Sequence, residues 1–187
     1  MSDFARFLPL SGGPRGAETG VSNDRRGALA DIVDRASGII ATDAADAAGR
    51  GPLLPAFLDH ADLRDEFAAL AVASTPAGLT RLGETIRTGR RRRARALASG
   101  ARALLLLARS ADTDPGLDAT TAGIVALRLA GSAPFDRRAV VKGRTVRATD
   151  ADWSFGRGPV LEGTATGIAA FLLGVSDDPP RPLTGRG

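Results

Sequence analysis

The one histidine of the chain, His60, stands in the string D-H-A-D-L-R, with Asp59 and Asp62 beside it and Arg64 one helical turn on. One imidazole with two carboxylates can hold a divalent metal or form a proton relay; the same string on a helix surface can be a solvated histidine flanked by solvated acids. On a helix, Asp59, Asp62 and His60 share one broad side, which permits either reading. Asp150 and Asp152 with Trp153 form a second set, an acid pair beside an aromatic wall. Acids at strand ends also make turn hydrogen bonds, and a tryptophan also serves as core. Gly156-Arg157-Gly158 reads as a tight turn, because neither phosphate-cradling glycine pattern, GxxxxGK[ST] or GxGxxG, occurs in the chain. The third set runs from Arg81 to Arg109, nine arginines against the single acid Glu84. Such a run can dock a phosphate backbone. It can equally coat a solvated helix or pair with the segment Asp24 to Glu66, whose nine acids exceed its five arginines.

Those sets are what the composition leaves. With no cysteine, disulfides, thiolate metal sites and cysteine nucleophiles are excluded together. A Ser-His-Asp triad has only His60 to use, and a site built from two histidines is impossible. The 187 residues suffice for one ordinary domain or two small ones, and an apolar fraction of 43% with 25% charged residues is a globular composition. All but one of the 25 basic residues are arginine, Lys142 being the exception. The pI near 11.0 therefore reflects the high pKa of arginine more than a polyanionic partner, since the net charge is only +4. No apolar run approaches the length of a membrane span. The start MSDFARFLPL has an early acid and no long apolar stretch, so the expectation is a cytoplasmic protein without a signal peptide.

The elements that must position these residues read as helices first and strands later. The Gly-rich segment Ser11 to Gly20 predicts a flexible tail over residues 1–22. Ser22 or Asn23 can cap a helix from Asp24 that carries Leu29, Ile32, Val33, Ala36, Ile39 and Ile40 at three- and four-residue spacing. A second helical pattern runs from about Leu53 to Ala73, with Pro55 tolerated in its first turn. Leu79, Leu82 and Ile86 continue the period from Ala77. One helix through Leu97 and Leu104 would turn Arg90 and Arg93 onto the apolar face, so a break is expected near Gly89 and a new helix from about Arg91 to Arg109. ADTDPG, Ala111 to Gly116, is a turn cluster and the expected boundary, and Asp118 can cap a helix reaching Ala130. Beyond it RTVRAT, Arg144 to Thr149, alternates as a half-buried strand. Trp153 to Phe155 and Pro159 to Leu161 then suggest a small antiparallel arrangement, before a helix opened by Thr164 and an irregular tail from Ser176.

The run GRTVRATDADWSFGRGPVLEGTATGIAAFLLG, Gly143 to Gly174, followed by LTGRG, resembles the C-terminal domain of the mycothiol-dependent maleylpyruvate isomerase family; ALRLAGSAPFDRRAVVKG resembles the segment leading into it. The resemblance spans Leu117 to Gly187. It implies an N-terminal DinB-like helical bundle that binds a divalent metal, usually zinc. The metal lowers the pKa of a small thiol, mycothiol, whose thiolate adds to an activated double bond, permits rotation and leaves. The bundle's ligand signature is a histidine on an early helix plus E-x-x-x-H shortly before H-x-D-[IL]-R. HADLR, His60 to Arg64, matches the last string, while Pro55 falls at the glutamate, Asp59 falls at the ligand histidine, and no earlier histidine exists.

Together these readings predict an α+β protein with a bundle-like helical region over residues 23–110 and a small α/β domain over residues 117–187. The expected metal residues are His60 and Asp59. The catalytic candidates are His60, Asp62 and Arg64, and Trp153 and Arg157 are the candidates for holding a cofactor. The expected function is that of a divergent, metal-assisted, thiol-dependent isomerase or transferase with weak or lost catalysis, because thiolate formation needs three protein ligands and an open position. The alternative is a non-enzymatic module whose Arg-rich helix contacts nucleic acid or an acidic partner.

Overall fold

A computed structural model of the chain describes residues 23–46 and 52–183. The predicted tail over 1–22 and the closing residues 184–187, TGRG, lie outside the described residues. Five helices make up the first part: α1 (Arg26–Asp46), α2 (Leu53–Ala61), α3 (Arg64–Ala69), α4 (Pro76–Thr88) and α5 (Ala94–Ser110). The apolar stripe of α1 is buried as its period requires, with Leu29, Val33 and Ala36 fully enclosed. α4 and α5 pack along α1, and α2 packs on α5. Phe57, Leu82, Ile86, Leu97 and Leu104 are buried in the same core, each contributing about 2 kcal/mol of transfer free energy.

The break expected near Gly89 is present: α4 ends at Thr88 and α5 begins at Ala94. The pattern predicted to run from Leu53 to Ala73 is instead two helices. Asp62 takes a left-handed conformation (φ 59°, ψ 42°) at the end of α2, and buried Leu63 carries the chain into α3. An aspartate tolerates that conformation better than most residues, so a helix-compatible period conceals a stop.

The second part comprises α6 (Ala119–Ala130), α7 (Phe135–Val141), β1 (Thr145–Ala148), β2 (Ser154–Gly156), β3 (Val160–Gly163), α8 (Ala165–Leu172) and β4 (Arg181–Pro182). The expected cap holds, with the Asp118 carboxylate accepting from Thr121 N at 2.7 Å, and Thr164, expected to open the last helix, caps it as well, its Oγ1 accepting from Gly167 N at 3.1 Å. Asp150 Oδ1 also accepts from Ala165 N at 2.7 Å, so the turn after β1 anchors the start of α8. The sheet order is β2-β1-β3-β4. It is mixed, which corrects the expected antiparallel arrangement: β1 pairs antiparallel with β2 (Val146 opposite Phe155) but parallel with β3 (Val146 opposite Leu161). The GRGP turn makes this possible. Gly156 and Gly158 have φ values of +89° and +124°, and a Cβ on either would strike the Arg144 or Gly143 carbonyl. The region read as an irregular tail supplies the edge strand β4 against β3.

The turn cluster at 111–116 does not separate the apolar interior. Leu117, Ala122, Val125, Ala148, Ala165 and Ala169 belong to the same buried cluster as the N-terminal helices. A smaller cluster, including Val146, Ile168, Phe171 and Leu172, fills the space between α6, α8 and the sheet. α6 is the shared wall, packed on α5 and on α8.

Candidate functional site

Asp59 and His60 occupy the last turn of α2, and both are exposed. The chain turns at Asp62, with Asp62 N donating to Asp59 O and Leu63 N to Leu58 O, and this brings Arg64 back over the helix end. Arg64 then engages Asp59 through both Nε and Nη2, one to each carboxylate oxygen. That hydrogen bonding from Arg64 holds the Asp59 carboxyl below its ordinary range, against a smaller opposing effect of burial. Among the described residues no three His, Cys, Asp or Glu side chains come together in a group able to hold a metal ion. The residues present do not fit a zinc centre of the resembled kind. The carboxylate at the ligand position is already a bidentate partner of a guanidinium, and Asp62, exposed on the left-handed turn, and His60 are too few to make up the three protein ligands of such a centre.

Trp153 and Arg157 belong to a different constellation. Trp153 Nε1 donates to Ala119 O at 2.9 Å, and its ring lies so close over Gly123 that a Cβ there would stand 2.9 Å from Nε1. The indole also stacks on Phe155, with centroids 6.0 Å apart and planes 12° from parallel. Half-buried, Trp153 joins β2 to the start of α6. On the outer side of Phe155, a groove of about 720 Å³ runs between α7 and the β1–β2 end of the sheet. Phe135, Arg138, Lys142, Arg144, Phe155 and Arg157 line it, and no acidic residue does. Phe135 is 78% exposed, and Arg138 Nε is buried without a hydrogen-bond partner. Sequence reasoning singled out Arg157 alone of these six. The available signal was the i, i+4 pair Arg138 and Lys142 following Phe135, but α7 itself went unread, because a seven-residue helix behind Pro134 has too short a period to detect.

Part of the Arg-rich run is paired with acids of the first three helices. Arg87 contacts Asp31 at 2.7 Å and Asp34 at 2.5 Å on α1. Arg90 and Arg92, in the α4–α5 connection, both hold Glu66 of α3, and Arg92 does so with two nitrogens. Asp24 Oδ1 accepts from the backbone of both Arg26 and Arg92, fixing the start of α1 to the same connection. Hydrogen bonding from Arg92 holds the Glu66 carboxyl below its usual range, outweighing partial burial, which acts to raise it. Between the alternatives left open by the sequence, the geometry favours pairing for Arg87, Arg90 and Arg92, while Arg81, Arg91, Arg93, Arg95 and Arg102 remain exposed.

The fold and these two constellations define an α+β protein with a helical half, a small mixed sheet, and a cationic groove at the sheet's end. Compared with protein-family models, with curated proteins and with solved structures, the chain has no match. No described helix is long and apolar enough to cross a membrane.

Proposed function

We propose that the protein is a divergent relative of the mycothiol-dependent maleylpyruvate isomerases that keeps the C-terminal unit and has given up the metal-borne thiol chemistry, so that it binds a small molecule rather than turning one over. The observation that carries this reading is the Asp59–Arg64 pair. At the end of α2, where the resemblance asks for a metal ligand, a carboxylate is neutralised by both arms of a guanidinium. A dication arriving there would first have to displace that guanidinium, with one exposed imidazole, His60, as the remaining help. The C-terminal run that carries the resemblance forms a continuous β1-β2-β3-α8 unit with its caps in place.

The test is metal content and thiol chemistry on the full-length chain. Purified protein dialysed after zinc loading is expected to retain well under one zinc per chain, and to leave maleylpyruvate unisomerised in the presence of mycothiol. Elemental analysis giving one zinc per chain, lost in His60→Ala, overturns the proposal. Zinc retained equally by wild type and His60→Ala overturns it too, since the metal centre would then lie elsewhere.

A further inference from the structure

We infer that the groove between α7 and the end of the sheet is a binding site for a small aryl oxyanion, a planar apolar body carrying a carboxylate or a phosphate. The inference stands independently of the His60 loop. Its first support is charge. Arg138, Lys142, Arg144 and Arg157 line one groove of about 720 Å³, within the size range of small-molecule sites, with no acid among the lining residues. None of the four forms an ion pair among the described residues. Four cations gathered without counter-charge raise the local positive potential and draw an anion in. The second support is a loosely held donor: the Arg138 guanidinium makes one long bond, to Gly131 O at 3.5 Å, and its Nε has no acceptor, so little opposes its turning toward an oxyanion in the groove.

The third support is aromatic. Among the described residues Phe135 is the most exposed of the large apolar side chains, at 78%, yet it faces the same groove as Phe155. Phe155 is held in place from behind by the Trp153 ring. One exposed and one stacked phenyl ring flanking a cationic floor suit a ligand with a flat apolar body better than they suit a bare inorganic ion. The rim is rigid on the sheet side, because the left-handed Gly156 and Gly158 hold the β2–β3 turn against the Gly143–Arg144 backbone. Arg144 and Arg157 therefore project from adjoining, fixed segments, the arrangement in which guanidinium groups can grip one oxyanion together.

Trp153 is the only tryptophan of the chain, so its fluorescence reports on this groove through Phe155. Phenyl phosphate and benzoate are the probes, with benzyl alcohol and inorganic phosphate as controls, read by tryptophan emission and by calorimetry. Phenyl phosphate or benzoate is expected to saturate one site per chain at roughly 10 µM to 1 mM, with benzyl alcohol not saturating and inorganic phosphate about tenfold weaker. Arg144→Ala with Arg157→Ala should weaken binding at least about tenfold, and Phe135→Ala about threefold. Arg81→Ala with Arg91→Ala, which removes the same charge from the helical half, should leave it unchanged. The inference fails if neither aryl probe saturates below 10 mM or so, if inorganic phosphate binds as well as phenyl phosphate, or if the groove variants match wild type. It also fails if a single-stranded oligonucleotide outcompetes phenyl phosphate by way of these same residues, which would make the groove a nucleic-acid surface.

Discussion

Arg92 and Arg144 both sit in connections, the first between α4 and α5, the second between α7 and β1, and nothing in the residue type separates them. Their surroundings do. Arg92 has a side chain only 12% exposed and grips Glu66 with two nitrogens, while Arg144 is exposed beside three other cations with no acid lining the same groove. In the helical half, the excess of acids on α1 to α3 meets the excess of arginines on α4 to α5, so charge becomes part of the packing. In the C-terminal unit the comparable acid, Glu162, is taken by Arg147 across the β1–β3 pair. The cations left over at the groove then have no carboxylate partner among the described residues. An arginine is thus structural or available according to whether a carboxylate is within reach.

The largest expected effect breaks the structural side of this contrast. Arg92→Ala leaves the partly buried Glu66 with only the exposed Arg90, and we expect a loss of about 2 kcal/mol, between the values typical of exposed and buried pairs. For a chain of this size that lowers Tm by about 4–8 °C. Arg144→Ala should change stability by no more than about 0.5 kcal/mol. Thermal unfolding of the two variants side by side checks the pair, and equal losses would erase the distinction.

A sharper version uses neighbours. Arg137 lies over the Phe171 ring at 5.0 Å, donates to Phe171 O at 2.7 Å and Ser176 O at 2.5 Å, and pairs with Asp177. Arg138 makes one long bond to Gly131 O at 3.5 Å and carries the unsatisfied Nε. Denaturant unfolding should show Arg137→Ala costing about 1–2 kcal/mol, and Arg138→Ala close to nothing. Adjacent positions of identical type would then differ in stability because one of them ties α7 to the end of α8 and the other waits on a ligand.

How far such differences are legible beforehand follows from range. The caps of α6 and α8 were readable because Asp118 and Thr164 act three residues away, and the break before α5 because Arg90 and Arg93 would have pointed into the core. The parallel β1–β3 pairing was not, since β-register is settled by partners 15 residues apart and by the glycine turn between them. Nor was the stop at Asp62, where a left-handed residue interrupts an unbroken apolar period. His60 drew attention as the lone imidazole, and the structure shows its neighbour Asp59 occupied by Arg64. The groove was not legible because its cations come from α7, from the connection into β1 and from the turn after β2, and only the β1–β2 pairing brings them to one place.

The smallest predicted effect tests the acid that closes the helical network. The Glu66 carboxyl is held below its ordinary value of 4.5 when folded, chiefly by hydrogen bonding from Arg92. A depressed folded value means the unfolded chain takes up the proton first. The pair's contribution is therefore complete above the ordinary glutamate range, and is lost as pH falls through the lowered folded value. Glu66→Gln removes that dependence. We expect the variant to be about 1 kcal/mol less stable than wild type at pH 7, and the gap to close once the pH falls below the folded value, as measured by urea unfolding across the range. Glu162→Gln, whose partner Arg147 is half-exposed, should cost less than Glu66→Gln at pH 7. A gap that stays constant with pH would mean that Glu66 acts through its packing, and that the acids of α1 to α3 do not hold the arginine run by charge.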